Sequence, residues 1–205
     1  MASQIDIINW GLRAIAEQPI NALDEGSEPA DIMSDLNDIT LEAEIRDFPY
    51  TWAQRTVELA EIEDETPPDY GYVYQLPADY LSMVELIDLT TGATVYYWDN
   101  VYTFTNVRSQ QWEIREDKLY INASAITIKY TVLETDTAKW DTTFARAFAY
   151  RLAMDAGPSI TEKMDMVERV ERLYVREISK ARAHSKSERR RQSRLSEDYL
   201  NIRNV

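Results

Sequence analysis

ITIKYTVL at residues 126–133 and FARAFAYRLAMDA at residues 144–156 decide the fold of this 205-residue chain. In the first, β-branched and aromatic residues run at the two-residue period of a strand. In the second, Phe144, Phe148, Leu152 and Ala156 recur every four residues, the signature of one buried helix face. The period of two extends upstream to Tyr72. It predicts strands at Met83–Leu89, Thr94–Trp98, Val101–Val107, Gln111–Arg115 and Lys118–Asn122. Turn residues at Thr91-Gly92, Asp99-Asn100 and Glu116-Asp117 leave connections too short for parallel crossovers, so the strands are expected to form antiparallel hairpins in a meander.

Downstream, Gly157-Pro158 reads as a helix stop and Ser159 with Glu162 as the capping box of a further helix. That helix carries Val167, Val170, Tyr174, Ile178 and Ala181, and the two are expected to form an antiparallel hairpin. Beyond Ala183 the apolar stripe ends. At the other end, Ser3 with Asp6 caps a helix bearing Ile5, Ile8, Leu12 and Ile15, closed before Pro19. Pro29 opens a second, with Ile32, Leu36, Ile39 and Ala43 as its apolar stripe and an end near Pro49. Trp52–Leu59 reads as a short helix or helical turn, and Glu61 to Pro68 as a solvated acidic linker.

The predicted class is α+β: an antiparallel helical bundle made by both ends of the chain, a central antiparallel β insertion, and an extended C-terminal arm. The expected division is 1–69 (N-terminal helices and linker), 70–135 (β domain), 136–182 (helical hairpin) and 183–205 (basic arm).

Charge is segregated along this plan. The first seventy residues hold seventeen acids against Arg13, Arg46 and Arg55, which accounts for the formal charge of −14 of the whole chain. Lys180, Arg182, Lys186, Arg189, Arg190, Arg191 and Arg194 cluster near the other end with Glu188 as the one acid among them. Such polarity favours head-to-tail attraction or a tail held on an acidic surface. An acidic body repels nucleic acid, which suits a wall past which DNA slides. No stretch approaches the roughly 18–20 apolar residues of a membrane span. Asp6 stands where a signal peptide needs positive charge, so the expected place of synthesis is the cytoplasm.

The residues offer little for catalysis. Zero cysteines and the single His184 exclude thiolate metal sites and Cys–His pairs, and the five glycines build no phosphate loop, so no metal, cofactor or catalytic residue is expected. Glu58 with Glu61, or Glu61 with Asp64, could form a glycosidase pair, though a solvated acidic segment is the plainer reading. The strongest binding signal is Arg189, Arg190, Arg191 and Arg194 with Leu195, Tyr199, Leu200 and Ile202. Apolar anchors among the arginines favour docking on a protein over clamping phosphates.

The order of several stretches resembles the tail tubular protein A family, the adaptors between portal and tail in short-tailed phages. They are Asp6-Ile7-Ile8-Asn9, Ile20-Asn21-Ala22-Leu23-Asp24, Phe48-Pro49-Tyr50-Thr51-Trp52-Ala53-Gln54-Arg55 with Leu59-Ala60, Tyr74-Gln75-Leu76-Pro77-Ala78-Asp79-Tyr80-Leu81, and Phe144 to Ala153. Family members often carry the tryptophan directly after the proline, whereas Tyr50 and Thr51 intervene here. The resemblance implies a structural virion protein of the tail or neck: a ring of twelve subunits that continues the DNA channel, with the C-terminal arm on the portal protein and the opposite face on the tail nozzle, tail fibres being further contacts. The rival expectations are a tail-associated peptidoglycan hydrolase and a nucleic-acid-binding module acting through the basic tail.

Overall fold

The computed structural model describes residues 2–65, 68–98, 111–161 and 163–202, with the backbone alone at 96–97 and 189–202. The chain is α+β, and its described residues contain four α-helices and two antiparallel sheets. It divides into a helical unit, residues 1–52 with 134–205, and a β unit, residues 53–133.

The helical unit contains α1 (Gln4–Ala14), α2 (Glu28–Asp47), α3 (Thr142–Ile160) and α4 (Met164–Ile202). Ser3 and Asp6 cap α1 reciprocally, as the sequence predicts: Asp6 N–H donates to Ser3 Oγ (3.2 Å) and Ser3 N–H to Asp6 Oδ2 (2.9 Å). Ile7, Ile8 and Leu12 of α1 are fully buried. The helix approaches α3 so closely that a Cβ on Gly11 would fall 2.4 Å from the Ala149 carbonyl oxygen. Asn9 fixes the chain after α1, donating to the Ile20 carbonyl and accepting from Ile20 N–H, both at 2.8 Å.

The described structure differs from the expectations for α2 and α3 in instructive ways. The buried side of α2 is Ala30, Met33, Asn37, Thr40, Leu41, Glu44 and Ile45, a face that mixes polar and apolar residues, whereas Ile39 of the predicted stripe is 70% exposed. Gly157-Pro158 does not stop α3, which continues to Ile160. Gly157 serves close packing instead, since a Cβ there would lie 2.7 Å from Val167 Cγ2 of α4. Ser159 therefore sits inside α3 and does not cap α4, and Glu162 lies outside the described residues. The hairpin itself is antiparallel: Gly157 faces Val167, Arg151 lies over the Tyr174 ring, and Asp141 meets His184. The α4 backbone stays helical past Ala183 as far as Ile202.

The β unit pairs β1 (Gln54–Glu58), β7 (Ile126–Thr131), β3 (Ser82–Asp88) and β4 (Ala93–Tyr97) in that order, and β2 (Tyr72–Gln75), β6 (Lys118–Ile121) and β5 (Trp112–Arg115) in a second sheet. The predicted strands that fall on described residues correspond to β3, β4, β5, β6 and β7, whereas β1 and β2 are not among them. Gln54–Glu58, within the segment expected to be helical, is a strand, because its backbone pairs with β7 along its whole length. Val101–Val107 and the turn at Asp99-Asn100 lie outside the described residues. Among the described strands the order is not a meander: only β3–β4 and β5–β6 are sequence neighbours, and β1 closes against β7. One core joins both sheets, with Leu86, Leu119, Ile121, Ile126 and Ile128 essentially inaccessible. The predicted linker is partly pinned here, as Ile62 N–H donates to the Val73 carbonyl (2.8 Å) and Lys118 pairs with Glu65.

Candidate functional site

The segment Phe48 to Trp52 builds a socket in the helical unit. The rings of Phe48, Tyr50, Trp52, Trp140, Phe144 and Phe148 form a continuous stack, with Tyr50–Phe144 and Trp52–Phe144 centroids both 4.7 Å apart. Against this stack lies one face of α4. Arg182 is 5.7 Å above the Phe48 ring, Lys186 is 5.9 Å from the same centroid, and Arg182 pairs with Asp47. Burial pushes the pKa of the Tyr50 hydroxyl up, although the neighbouring Arg182 guanidinium draws it down.

Polar contacts complete the socket. Asp141 caps α3, accepting from Thr143 N–H at 2.6 Å, and its other oxygen lies 2.8 Å from His184 Nδ1. Burial raises the Asp141 pKa, but the Thr143 and Phe144 hydrogen bonds and His184 outweigh it and hold the carboxyl below its ordinary value. Thr51 N–H donates to Ser185 Oγ (3.0 Å), and Thr51 Oγ1 donates to Glu188 Oε2 (2.5 Å). Trp52, Trp140, Asp141, His184 and Glu188 border an open cleft of about 360 Å³. The sequence marks His184 as a solvated tail residue. It is half-exposed, and its ring is held by Asp141, a partner that no local pattern reveals.

A second polar centre joins three helices. Glu44 of α2, 3% exposed, accepts from the Tyr174 hydroxyl at 2.6 Å and meets Arg151 at 3.4 Å, while Arg151 also pairs with Asp155 at 2.8 Å. Desolvation raises the Glu44 pKa against the lowering pull of Tyr174 and Arg151. Burial and the hydrogen bond to Glu44 push Tyr174 up to about 12.

The carboxylates weighed for glycoside chemistry do not form an enclosed site. Glu58, Glu61 and Asp64 are all exposed on β1 and the loop after it. Among the described residues, no group of three or more His, Cys, Asp or Glu side chains could hold a metal ion. Of the predicted docking residues, Arg189, Arg190, Arg191, Arg194, Leu195, Tyr199, Leu200 and Ile202 all fall on the helical backbone of α4, and their side chains lie outside the described residues. The sequence reading places Arg182, Lys186 and Glu188 in the basic cluster, but the contacts that hold this root of the segment are not readable from it. Compared with models of known protein families and with curated protein sequences, the chain matches none.

Proposed function

We propose that the protein is a structural virion component, a ring-forming adaptor that joins the portal of a short-tailed phage to its tail nozzle and continues the DNA path. Its helical unit is the bundle of that adaptor, and the basic end of α4 is the arm that docks on the portal. The observation that carries this reading is the gripped root of α4. Arg182, His184, Ser185 and Glu188 are each fixed by Asp47, Asp141 or Thr51, and the helix runs on beyond them through its arginine-rich end. At 1.5 Å per residue the part beyond Glu188 is about 20 Å long, enough to reach a neighbouring protein. A helix anchored at its base and basic beyond it is suited to insertion into an acidic partner surface. The acidity of the rest of the chain suits DNA transit without capture.

The test is native mass spectrometry of the full chain mixed with a portal ring. Wild type is expected to form a complex of defined stoichiometry. A chain cut after Glu188 is expected to remain folded and fail to attach; normal attachment by the truncated chain overturns the arm assignment. DNA binding that is lost in the truncated chain and falls steeply with salt would instead favour the nucleic-acid reading.

A further inference from the structure

Two helix faces in the helical unit carry matched stripes that packing within the unit does not use. On α2 the residues left out of the buried face form two parallel rows at spacings of three and four. Ile32, Leu36, Ile39 and Ala43 make an apolar row, with Ile32 and Leu36 half-buried, Ala43 exposed and Ile39 70% exposed. Beside it runs an acidic row, Glu28, Asp31, Asp35, Asp38 and Glu42. On α4, Arg169, Arg172, Arg176 and Lys180 form an exposed basic row, and Val175, 56% exposed, lies between Arg172 on one side and Glu168 and Glu171 on the other. Single exposed apolar residues need no explanation, but an isoleucine at the centre of an ordered apolar row marks an interaction face.

The rows fit each other in sign and length. Asp31 to Glu42 and Arg169 to Lys180 each cover three helical turns, about 16 Å. The ion pairs that engage these rows stay on their own helix: Glu42 with Arg46, and Arg176 and Lys180 with Glu177. On α4, Asp165, Glu168 and Glu171 lie in the first two turns, Glu177 is buried, and no acid is exposed between Arg172 and Lys186.

We infer that the α2 face of one copy docks on the α4 face of the next, with Ile39 and Val175 as apolar anchors inside an acid-to-base seam. The contact is heterologous, since one patch meets a different patch, so every copy offers one free face of each kind and the assembly closes only as a ring. The charge rows select the partner face and speed encounter, and the apolar row excludes water from the seam. This inference rests on the ring reading above and names the surface that builds it.

The absence of native cysteines makes the contact directly readable. Ile39→Cys and Val175→Cys chains, mixed and treated with a short bismaleimide, are expected to give a one-to-one dimer that neither gives alone. No mixed dimer, or equal dimer yield from either variant alone, overturns the inference, and this readout needs no portal. Charge reversal supplies the second arm. Asp35→Lys with Asp38→Lys, and Arg169→Glu with Arg172→Glu, alter exposed side chains. Each double variant alone is expected to lose at least tenfold in assembled mass on the portal, and an equimolar mixture to regain it, because the reversed faces complement each other. Full assembly by each variant alone overturns the seam and leaves the adaptor reading intact. Failure of wild type to assemble on the portal, with the mixed dimer present, overturns the adaptor reading and leaves the seam intact.

Discussion

The Tyr174 hydroxyl donates a 2.6 Å hydrogen bond to Glu44 Oε1, and Arg151 stands 3.4 Å from the same oxygen, so one carboxylate ties α2 to α3 and α4. A buried charge held in this way makes the helical unit sensitive to pH in a direction that can be worked out. Its folded pKa lies above the unfolded value because burial disfavours the anion. The contribution of Glu44 is then full below the unfolded pKa and is lost as pH rises through the folded one.

Glu44→Gln keeps an acceptor for Tyr174 and has no charge to desolvate. Its Tm relative to wild type is expected to climb between about pH 4 and pH 8. Parallel melting curves across that range would show that Glu44 is not the titrating group. Glu44→Ala is expected to cost about 1–3 kcal/mol at neutral pH, because Tyr174 is left without its acceptor.

Asp141→Ala removes the α3 cap and the partner of His184 together. We expect a loss of about 1–2 kcal/mol by chemical denaturation near pH 7, most of it from the cap. The folded pKa of Asp141 is depressed, so its contribution is present above the unfolded value near 3.8 and fades as pH falls through the folded one. The deficit of the variant should therefore shrink in acid.

Trp52 and Phe144 are in direct ring contact, with centroids 4.7 Å apart. Phe144→Ala is expected to cost about 3–5 kcal/mol and Trp52→Ala, half-buried, about 2–4 kcal/mol. The double variant should fall short of the sum by about 0.5–1.5 kcal/mol. Strict additivity would mean that the stack contributes no coupling of its own.

Gly11→Ala inverts the usual rule for helices. Alanine normally stabilises a helix interior by about 1 kcal/mol over glycine. Here the new methyl meets the Ala149 carbonyl, a backbone group of α3 that cannot swing away. A net loss of about 1–3 kcal/mol is expected, and an unchanged or raised Tm would show that α1 and α3 can separate at little cost.

The parts of the fold that were legible in sequence are those whose signal is local. The Ser3–Asp6 cap, the helices and most strands could be read because periodicity and turn residues sit within a few positions of one another. The buried face of α2 could not, because Glu44, Asn37 and Thr40 go inward among polar residues, and the partners of Glu44, Arg151 and Tyr174, stand more than a hundred residues away. The strand Gln54–Glu58 has one aliphatic residue and owes its conformation to β7. Gly157-Pro158 carries stop chemistry, yet the glycine is needed where Val167 presses on α3. For the candidate site, the aromatic run from Phe48 to Trp52 was visible as a motif, while the His184–Asp141 and Thr51–Glu188 pairings required the fold.

Val132 N–H hydrogen-bonds the Ala53 carbonyl at 2.9 Å, and β1 lies beside β7, so the β unit begins and ends at neighbouring residues. A guest whose two ends meet makes no demand on the length or spacing of its host. The residues between Trp52 and Glu134 thus form a module that can be enlarged, trimmed or exchanged while its two ends stay together.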